Sequence, residues 1–322
     1  MLSVCPWPDA AAASAHERQW PMRAPGGPHD ERIAAALRRI AAEAALDSIC
    51  LTHARFRHAA DIAGLFETPR RAWGGFDLDD LREALRRADA KARTLSPIAI
   101  LELSRESGGL PCFLDRLADG GGKIVAQWFD VRRGAVSLSL ERFSAAAREA
   151  GGPALRFGTN SMNPFMALLC GQNAAALAGY CDFVQPLLSY SRWHILEPVL
   201  AWSDWLRTRV AGLGANEALA SAKNLLGLGA VDWPQSDPEF FRGGGEGPEA
   251  LIRETVRAAL RRTREWQSGS LEAMPVLRGR DWPRALTREL AEFAESIGCK
   301  GVLFQGCENL AAAPPPPDQG WQ

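Results

Sequence analysis

Hydrophobic positions recur at helical spacing in five stretches of the chain, and each stretch is followed by a short apolar run of strand length. In residues 31–45, Ile33, Leu37 and Ile40 fall on one helical face, and SICLTHARF follows at 48–56. The same order recurs as 130–149 with 154–160, 171–180 with 182–190, 248–266 with 274–282, and 284–297 with 298–306. Alternating helices and buried strands predict a parallel sheet of the α/β class. Two further apolar runs, at 98–103 and 3–7, are candidate strands.

Two ways of closing this sheet fit the alternation: a doubly wound open sheet and a (β/α)8 barrel. An open nucleotide-binding sheet normally carries a glycine-rich phosphate turn, and the chain has no GxGxxG or GxxxxGK[ST] sequence between a strand and a helix. In a barrel, functional side chains gather where the strands end, and polar residues follow the predicted strands here. We therefore predict a TIM-type barrel over residues 1–310 and a proline-rich tail or linker over 311–322.

The composition argues against several classes of protein. The chain has 37 basic and 38 acidic residues, a net charge of −1 and a pI of about 6.5, which argues against a nucleic-acid-binding or polybasic membrane-surface protein. No apolar run reaches the roughly 18 residues of a membrane span, and the N-terminal segment lacks the features of a signal peptide. Seven cysteines form no CxxC pair, which is typical of a reducing compartment. The sequence as written predicts a cytoplasmic protein, and an upstream start would leave export open.

The first clear strand ends in a cluster of basic side chains. Because side chains alternate along a strand, His53 and Arg55 point to the same side. At a barrel mouth, this pair would bind an anionic or hydroxyl-rich ligand and influence the pKa of a neighbouring carboxylate. The alternative is a structural salt bridge for Arg55 and a hydrogen-bonded core position for His53.

The segment QWFDVRR at 127–133 supplies a second group of candidates. Asp130 lies at the predicted start of a long helix, where it either caps the helix or places a carboxylate at the barrel mouth. Trp128 would then offer a face on which a sugar ring stacks.

Other polar or aromatic residues follow the later strands. These candidates are Asn160, Gln185, Tyr190, Arg280, Trp282 and Glu308. Amides suit hydrogen bonding to a polyol, but they also suit turns. Glu308 is either a site carboxylate or a helix cap or surface charge.

The spacing of the remaining reactive residues offers no support for other chemistry. The five histidines form no HxH or HExxH pattern, so we expect no metal site. The chain also lacks a GxSxG elbow, and Cys307 has no histidine partner that the sequence identifies. We therefore expect no cofactor, and either acid–base chemistry by carboxylates or binding alone.

Four segments resemble motifs of bacterial glycoside-hydrolase-like TIM-barrel proteins. LDSICLTHARF resembles that family's "DGI-x-LDYIRFP" strand, and QWFDVRR resembles its "WF-acid-x-RR" helix start. NPFMALLCGQNAAALAGYCDFVQPLLSY resembles the stretch "VGQDY-x-AL-x-x-x-x-DFV-x-PMLY". GCKGVLFQGCENL resembles the closing "GADGV" strand with its "G-x-ENL" end, so that the resemblance covers residues 30–310.

The resemblance implies a (β/α)8 barrel and a carbohydrate ligand. The motif positions that it carries over are Arg55, Trp128, Asp130, Arg133, Gln172, Tyr190 and Glu308. Thr52 and His53 stand where the family has Asp and Tyr, and the loss of that carboxylate bears on hydrolysis. Because the family barrel has strands before this region, the resemblance also implies that Met1 lies within the barrel, after its first strand or strands.

Three functional hypotheses follow. The first is a glycoside hydrolase that uses Asp130 and Glu308 as its carboxylate pair, with the remaining candidates binding an oligo- or polysaccharide. The second is a non-hydrolytic carbohydrate-binding or scaffold barrel, supported by Thr52. The third is an enzyme of another class that acts on an anionic substrate held by Arg55, Arg278 and Arg280.

Overall fold

A computed structural model describes residues 2–4, 28–52, 76, 78–118, 122–189, 192–233, 249–267, 271–279 and 282–306. The α-helices in these ranges are α1 (Pro28–Glu43), α2 (Leu78–Ala92), α3 (Pro97–Glu106), α4 (Leu110–Leu117), α5 (Ile124–Gly151), α6 (Ala174–Leu177), α7 (Glu197–Arg209), α8 (Ala215–Leu225), α9 (Glu249–Trp266) and α10 (Arg284–Ser296). The strands are β1 (Leu2–Val4), β2 (Ser48–Leu51), β3 (Arg156–Ser161), β4 (Phe183–Pro186), β5 (Glu272–Ala273), β6 (Val276–Arg278) and β7 (Leu303–Gln305). A 3-10 turn covers Leu168–Cys170, and a π-helical turn covers Arg192–Leu196.

The strands are parallel and follow one another in space as they do in the sequence. One sheet has the order β1-β2-β3-β4-β5, and β6 pairs with β7. An isolated bridge between Leu187 and Val276 continues the pairing from β4 to β6. At this bridge Leu188 N donates to Val276 O at 3.0 Å. The α/β class predicted from the sequence is therefore confirmed.

One face of this sheet is apolar and is covered by α1 and the second half of α5. Its strand residues alternate, as period-2 patterning requires, and pack with both helices into a cluster that we call the sheet core. The strand residues of the sheet core are Ile49, Leu51, Phe157, Val184 and Ala273. The opposite face, which we call the polar face, carries the intervening positions Cys50, Gly158, Asn160, Phe183 and Gln185.

A second cluster, which we call the helical core, packs α2–α4 and α7–α10 against the first half of α5. Helix α5 has 28 residues and so spans about 42 Å, whereas the six residues of β3 span about 20 Å. The helix therefore passes from one core to the other: Val125 and Phe129 belong to the helical core, and Leu140 and Phe143 belong to the sheet core.

Two sequence predictions are wrong. Residues 98–103 form no strand but lie inside α3, which begins after Ser96, whose hydroxyl accepts from the Ala99 N–H at 3.3 Å. Pro97 favours this start because its fixed φ suits the first helical turn. Helix α5 begins at Ile124, six residues before Asp130, so Asp130 is not its N-cap. Lys123 is the N-cap residue, and the carboxylate of Asp115 from the preceding helix accepts from the N–H groups of Val125 at 2.8 Å and Ala126 at 3.0 Å.

The other predicted elements are present with shorter strands. Helices predicted over 31–45, 248–266 and 284–297 match α1, α9 and α10 within three residues at each end, and the candidate strand at 3–7 overlaps β1. Residues 53–56 of the first predicted strand and the tail at 311–322 lie outside the described residues. None of the helices in the described ranges combines the length and the apolar character needed to cross a membrane.

Candidate functional site

Three polar side chains meet on the polar face, near the carboxyl ends of β2, β3 and β4. We call Cys50, Asn160 and Gln185 the amide cluster. Asn160 and Gln185 are register partners, and Asn160 Nδ2 donates to Gln185 Oε1 at 2.9 Å. Cys50 Sγ donates to the same oxygen at 3.2 Å. One carbonyl oxygen of β4 therefore accepts from the neighbouring strand β3 and from β2, the strand beyond it.

The thiol of Cys50 is a permanent donor at neutral pH. Burial raises its pKa to about 12, although a hydrogen bond from the Asn160 backbone lowers it in part. A protonated thiol has one proton to give, and of the two acceptors near it the Gln185 oxygen, at 3.2 Å, is closer than Leu51 O, at 3.9 Å. The side-chain amides of the cluster are therefore oriented. The oxygen of Gln185 faces Cys50 and Asn160, and the nitrogen of Asn160 faces Gln185.

The last strand contributes a further polar contact. Ser189, three residues after β4, donates from Oγ to Gln305 Oε1 at 2.7 Å, at the carboxyl end of β7. Gln305 lies in register with Arg278 of β6. The carboxyl ends of three described strands, β3, β4 and β7, therefore each carry an amide side chain, and amides donate and accept in the manner that sugar hydroxyls require.

Gln172 and Asn163 hold the loop after β3 in shape. Gln172 Nε2 donates to Asn160 O at 3.0 Å, and its Oε1 accepts from Met162 N at 2.8 Å. Asn163 Oδ1 accepts from Phe165 N at 3.1 Å, and Asn163 Nδ2 donates to His194 O at 3.1 Å. Both side chains are fully buried. The amide of Gln172 thus contacts the backbone on either side of Ser161 and supports the position of Asn160.

Trp128 lies in the helical core with only 3% of its surface exposed. The guanidinium of Arg132 lies 4.6 Å from the centre of its ring, and Phe129 approaches it edge-on at 4.9 Å. Burial lowers the pKa of Arg132 to about 10, which leaves it charged at neutral pH. Sequence reasoning missed Arg132, although its spacing of four from Trp128 on a helix was a signal for this contact.

Asp130 and Arg133 form an ion pair on the surface of α5. The side chain of Asp130 is 62% exposed and that of Arg133 is 26% exposed. Burial lowers the pKa of Arg133. The pair joins residues three apart on one helix, a common surface arrangement. The described contacts do not connect it with the amide cluster.

The structure brings together some of the predicted site residues and leaves others apart. Asn160 and Gln185 are in direct contact, and Gln172 contacts the Asn160 backbone. Trp282 is buried in the helical core. His53, Arg55, Tyr190, Arg280 and Glu308 lie outside the described residues, and their roles stay predictions. Cys50 and Ser189 were not singled out by sequence reasoning, although Cys50 alternates with Ile49 and Leu51 and so had to face the other side of the sheet.

Within the described ranges, His, Cys, Asp and Glu side chains form no group of three arranged to hold a metal ion. No protein-family model matches the chain, and no curated protein is significantly similar to it. The fold and the site therefore define the protein only by class: an α/β protein with parallel strands in sequential order and a cluster of amides where those strands end.

Proposed function

We propose that the sheet belongs to a (β/α)8-type barrel, with the polar face as its inner wall. Two observations support this. The described strands follow one another without the reversal of order that marks a doubly wound sheet. The polar face is also buried, although Asn160 and Gln185 lie on it beside the apolar Phe183. In an open sheet, helices with apolar faces would cover this side, and its residues would be apolar as well.

We propose further that the protein is glycoside-hydrolase-like and binds an oligo- or polysaccharide at the carboxyl end of this barrel. The amide cluster is the observation that carries the proposal. Ligands of parallel barrels bind where the strands end, and the strand ends here present oriented amides and a hydroxyl. Hydrolysis would need two carboxyl groups on either side of the glycosidic bond, for which Glu308 and Asp130 are the candidates.

A second function, carbohydrate binding without hydrolysis, is favoured by the surroundings of Asp130. This carboxylate is mostly exposed, is paired with Arg133, and lies on a helix and not at a strand end. A general acid normally lies in a less polar environment, which keeps it protonated near neutral pH. Thr52, where the resembling family has Asp, points in the same direction.

The experiment that separates these functions measures binding and bond cleavage on the same panel of saccharides. Wild type, Glu308→Gln and Asp130→Asn would be compared by titration calorimetry and by release of reducing ends, with folding checked by circular dichroism. Asp204→Asn is the matched control, because Asp204 also pairs with an arginine three residues later on an exposed helical face. A hydrolase with this carboxylate pair loses at least about a hundredfold in rate in both site variants and none in the control.

Three other outcomes would change the assigned function. Loss of activity in Glu308→Gln alone would keep the hydrolase and remove Asp130 from its mechanism. Binding without cleavage in the wild type would establish the second function. Neither binding nor cleavage of any saccharide would overturn both.

A further inference from the structure

Asn160 is a strand-end residue whose amide is held in one orientation. Its Nδ2 donates to Gln185 Oε1, so its Oδ1 lies on the other branch of the amide, directed away from Gln185. Among the described residues none donates to that oxygen, and the residue is 8% exposed. The oxygen itself is not fully enclosed, so a water molecule or a ligand hydroxyl can reach it and donate to it.

The orientation of the Asn160 amide depends on Cys50. Cys50 lies on β2 in register with Gly158, two residues before Asn160 on β3. If the side-chain amide of Gln185 were rotated by 180°, its nitrogen would face the thiol proton of Cys50 and the Nδ2 of Asn160. All three groups would then be donors, and no hydrogen bond would form between them. The S–H donor of Cys50, which lies 3.2 Å from this oxygen and 3.9 Å from Leu51 O, therefore favours the orientation of Gln185 in which the oxygen faces β3. Gln185 in turn selects the orientation of Asn160. The three residues form a directed chain, with a donor at one end and an acceptor at the other.

We propose that Asn160 Oδ1 accepts a hydrogen bond from a hydroxyl of the bound saccharide, and that Cys50 is a positioning residue for this contact. The proposal rests on the proposed carbohydrate-binding function and specifies its chemistry. The ligand must present a donor at this position, so a sugar hydroxyl is accepted, whereas a methyl ether or a deoxy position is not. Cys50 does not touch the ligand; it acts through Gln185.

Substitutions at Cys50 separate this role from a purely structural one. Cys50→Ala removes the donor and Cys50→Ser retains one of similar size. Cys181 provides the matched control, because it is also a buried thiol with a raised pKa but packs in the sheet core, on the opposite face. Thermal unfolding of each variant shows whether it is folded at the temperature of the binding measurement.

The test measures affinity for the saccharide from the panel above that binds the wild type, with Glu308→Gln as the common background so that nothing is consumed. We expect binding about tenfold weaker in Asn160→Ala and about threefold weaker in Cys50→Ala. Cys50→Ser restores the affinity to within about twofold, and Cys181→Ala leaves it unchanged. Each hydroxyl of the saccharide is then removed in turn. One monodeoxy analogue binds more weakly to the protein with Asn160 intact, and that difference disappears in Asn160→Ala.

The outcomes distinguish this inference from the function on which it rests. If the wild type binds a saccharide and Cys50→Ala binds it equally well, the positioning role of Cys50 is wrong while carbohydrate binding stands. If no monodeoxy analogue is coupled to Asn160, the contact itself is wrong. If the wild type binds no saccharide at all, the proposed function fails and this inference fails with it.

Discussion

Arg209, the last residue of α7, donates from Nε to Asp89 Oδ1 of α2 at a distance of 2.8 Å. The second oxygen of Asp89 accepts from Arg93 Nε at 3.0 Å. The two partners of the first contact are 120 residues apart in the chain, one between β2 and β3 and the other between β4 and β5. This ion pair therefore joins two helical segments that leave the sheet at different strands and meet in the helical core.

Removing this ion pair should lower the free energy of unfolding. We expect Arg209→Met to lose about 1 kcal/mol, because the pair is only partly shielded from water. Burial alone would raise the pKa of Asp89, but hydrogen bonds and charge from Arg209 and Arg93 outweigh it and hold that pKa below its ordinary value. The contribution is therefore present at neutral pH and is lost as the pH falls below about 3.9, through the folded-state value.

Urea unfolding at neutral and acid pH measures this effect. Arg207→Met is the control, since Arg207 makes a longer, 3.9 Å contact with Asp204 on an exposed face of the same helix. If Arg209→Met and Arg207→Met lost the same unfolding free energy at neutral pH, the stabilising role of the Arg209–Asp89 pair would be contradicted.

Asp115 supplies a second prediction, at the start of α5. Asp115→Ala leaves two helical N–H groups without their acceptor, and we expect a loss of about 1–2 kcal/mol in the free energy of unfolding. Asp115→Asn, which resembles the protonated acid, should lose less. Burial raises the pKa of Asp115 more than its backbone hydrogen bonds and Lys123 lower it. The folded state therefore resists ionisation of this group.

The sign of the pH dependence follows from that raised pKa. The stabilisation is complete below the unfolded value of about 3.9 and is lost as the pH rises through the folded-state pKa. The advantage of the wild type over Asp115→Asn should therefore shrink as the pH rises, when both are unfolded in urea at a series of pH values. A flat curve for Asp115→Asn would contradict the prediction.

Gly158 marks a close approach on the polar face. A Cβ at this position would lie 2.4 Å from two ring carbons of Phe183 and 2.5 Å from its backbone oxygen. Because β3 and β4 are hydrogen-bonded neighbours, that oxygen cannot move without breaking the ladder. We expect Gly158→Ala to lose about 2–3 kcal/mol in the free energy of unfolding.

Gly134 is the matched control for this substitution. It lies inside α5 with no atom within 4 Å of its would-be Cβ, so Gly134→Ala should stabilise the protein by about 0.5–1 kcal/mol through helix propensity. In thermal or urea unfolding, the free energy of unfolding should fall in Gly158→Ala and rise in Gly134→Ala. Two small changes of the same sign would contradict it.

Thiol reactivity gives a prediction that needs no substitution. Cys112 is exposed, whereas Cys50, Cys170, Cys181 and Cys299 are buried. Burial also raises the pKa of Cys50 to about 12 and removes its thiolate at neutral pH. Iodoacetamide should therefore label Cys112 at least about tenfold faster than these buried thiols, as read by peptide mass spectrometry. Fast labelling of Cys50 in the native state would contradict the hydrogen bond to Gln185, and labelling in urea confirms that every thiol is reactive once unfolded.

Much of the fold could be predicted from local pattern alone. Helix α9 and helix α10 appear at the expected places because their apolar residues repeat at helical spacing. The prediction of a strand at 98–103 was wrong. PIAILEL is apolar enough for a strand, but Ser96 and Pro97 start a helix there. The start of α5 was missed because the carboxylate that accepts from its first N–H groups belongs to Asp115, nine residues before the helix, and reaches it only through tertiary folding.

The sequence by itself determined the α/β class, the alternation of helices with buried strands and the placement of Asn160 and Gln185 at strand ends, because spacing within one element fixes those features. Only the tertiary structure decided which strands are neighbours, and hence that Cys50 and Asn160 both donate to one oxygen of Gln185. It also decided that Trp128 packs against Arg132 inside a core and that Asp130 pairs with Arg133 on the surface. The physical reason is that contacts between distant segments depend on how the elements pack and on the direction of each donor, and neither is contained in the local periodicity of the chain.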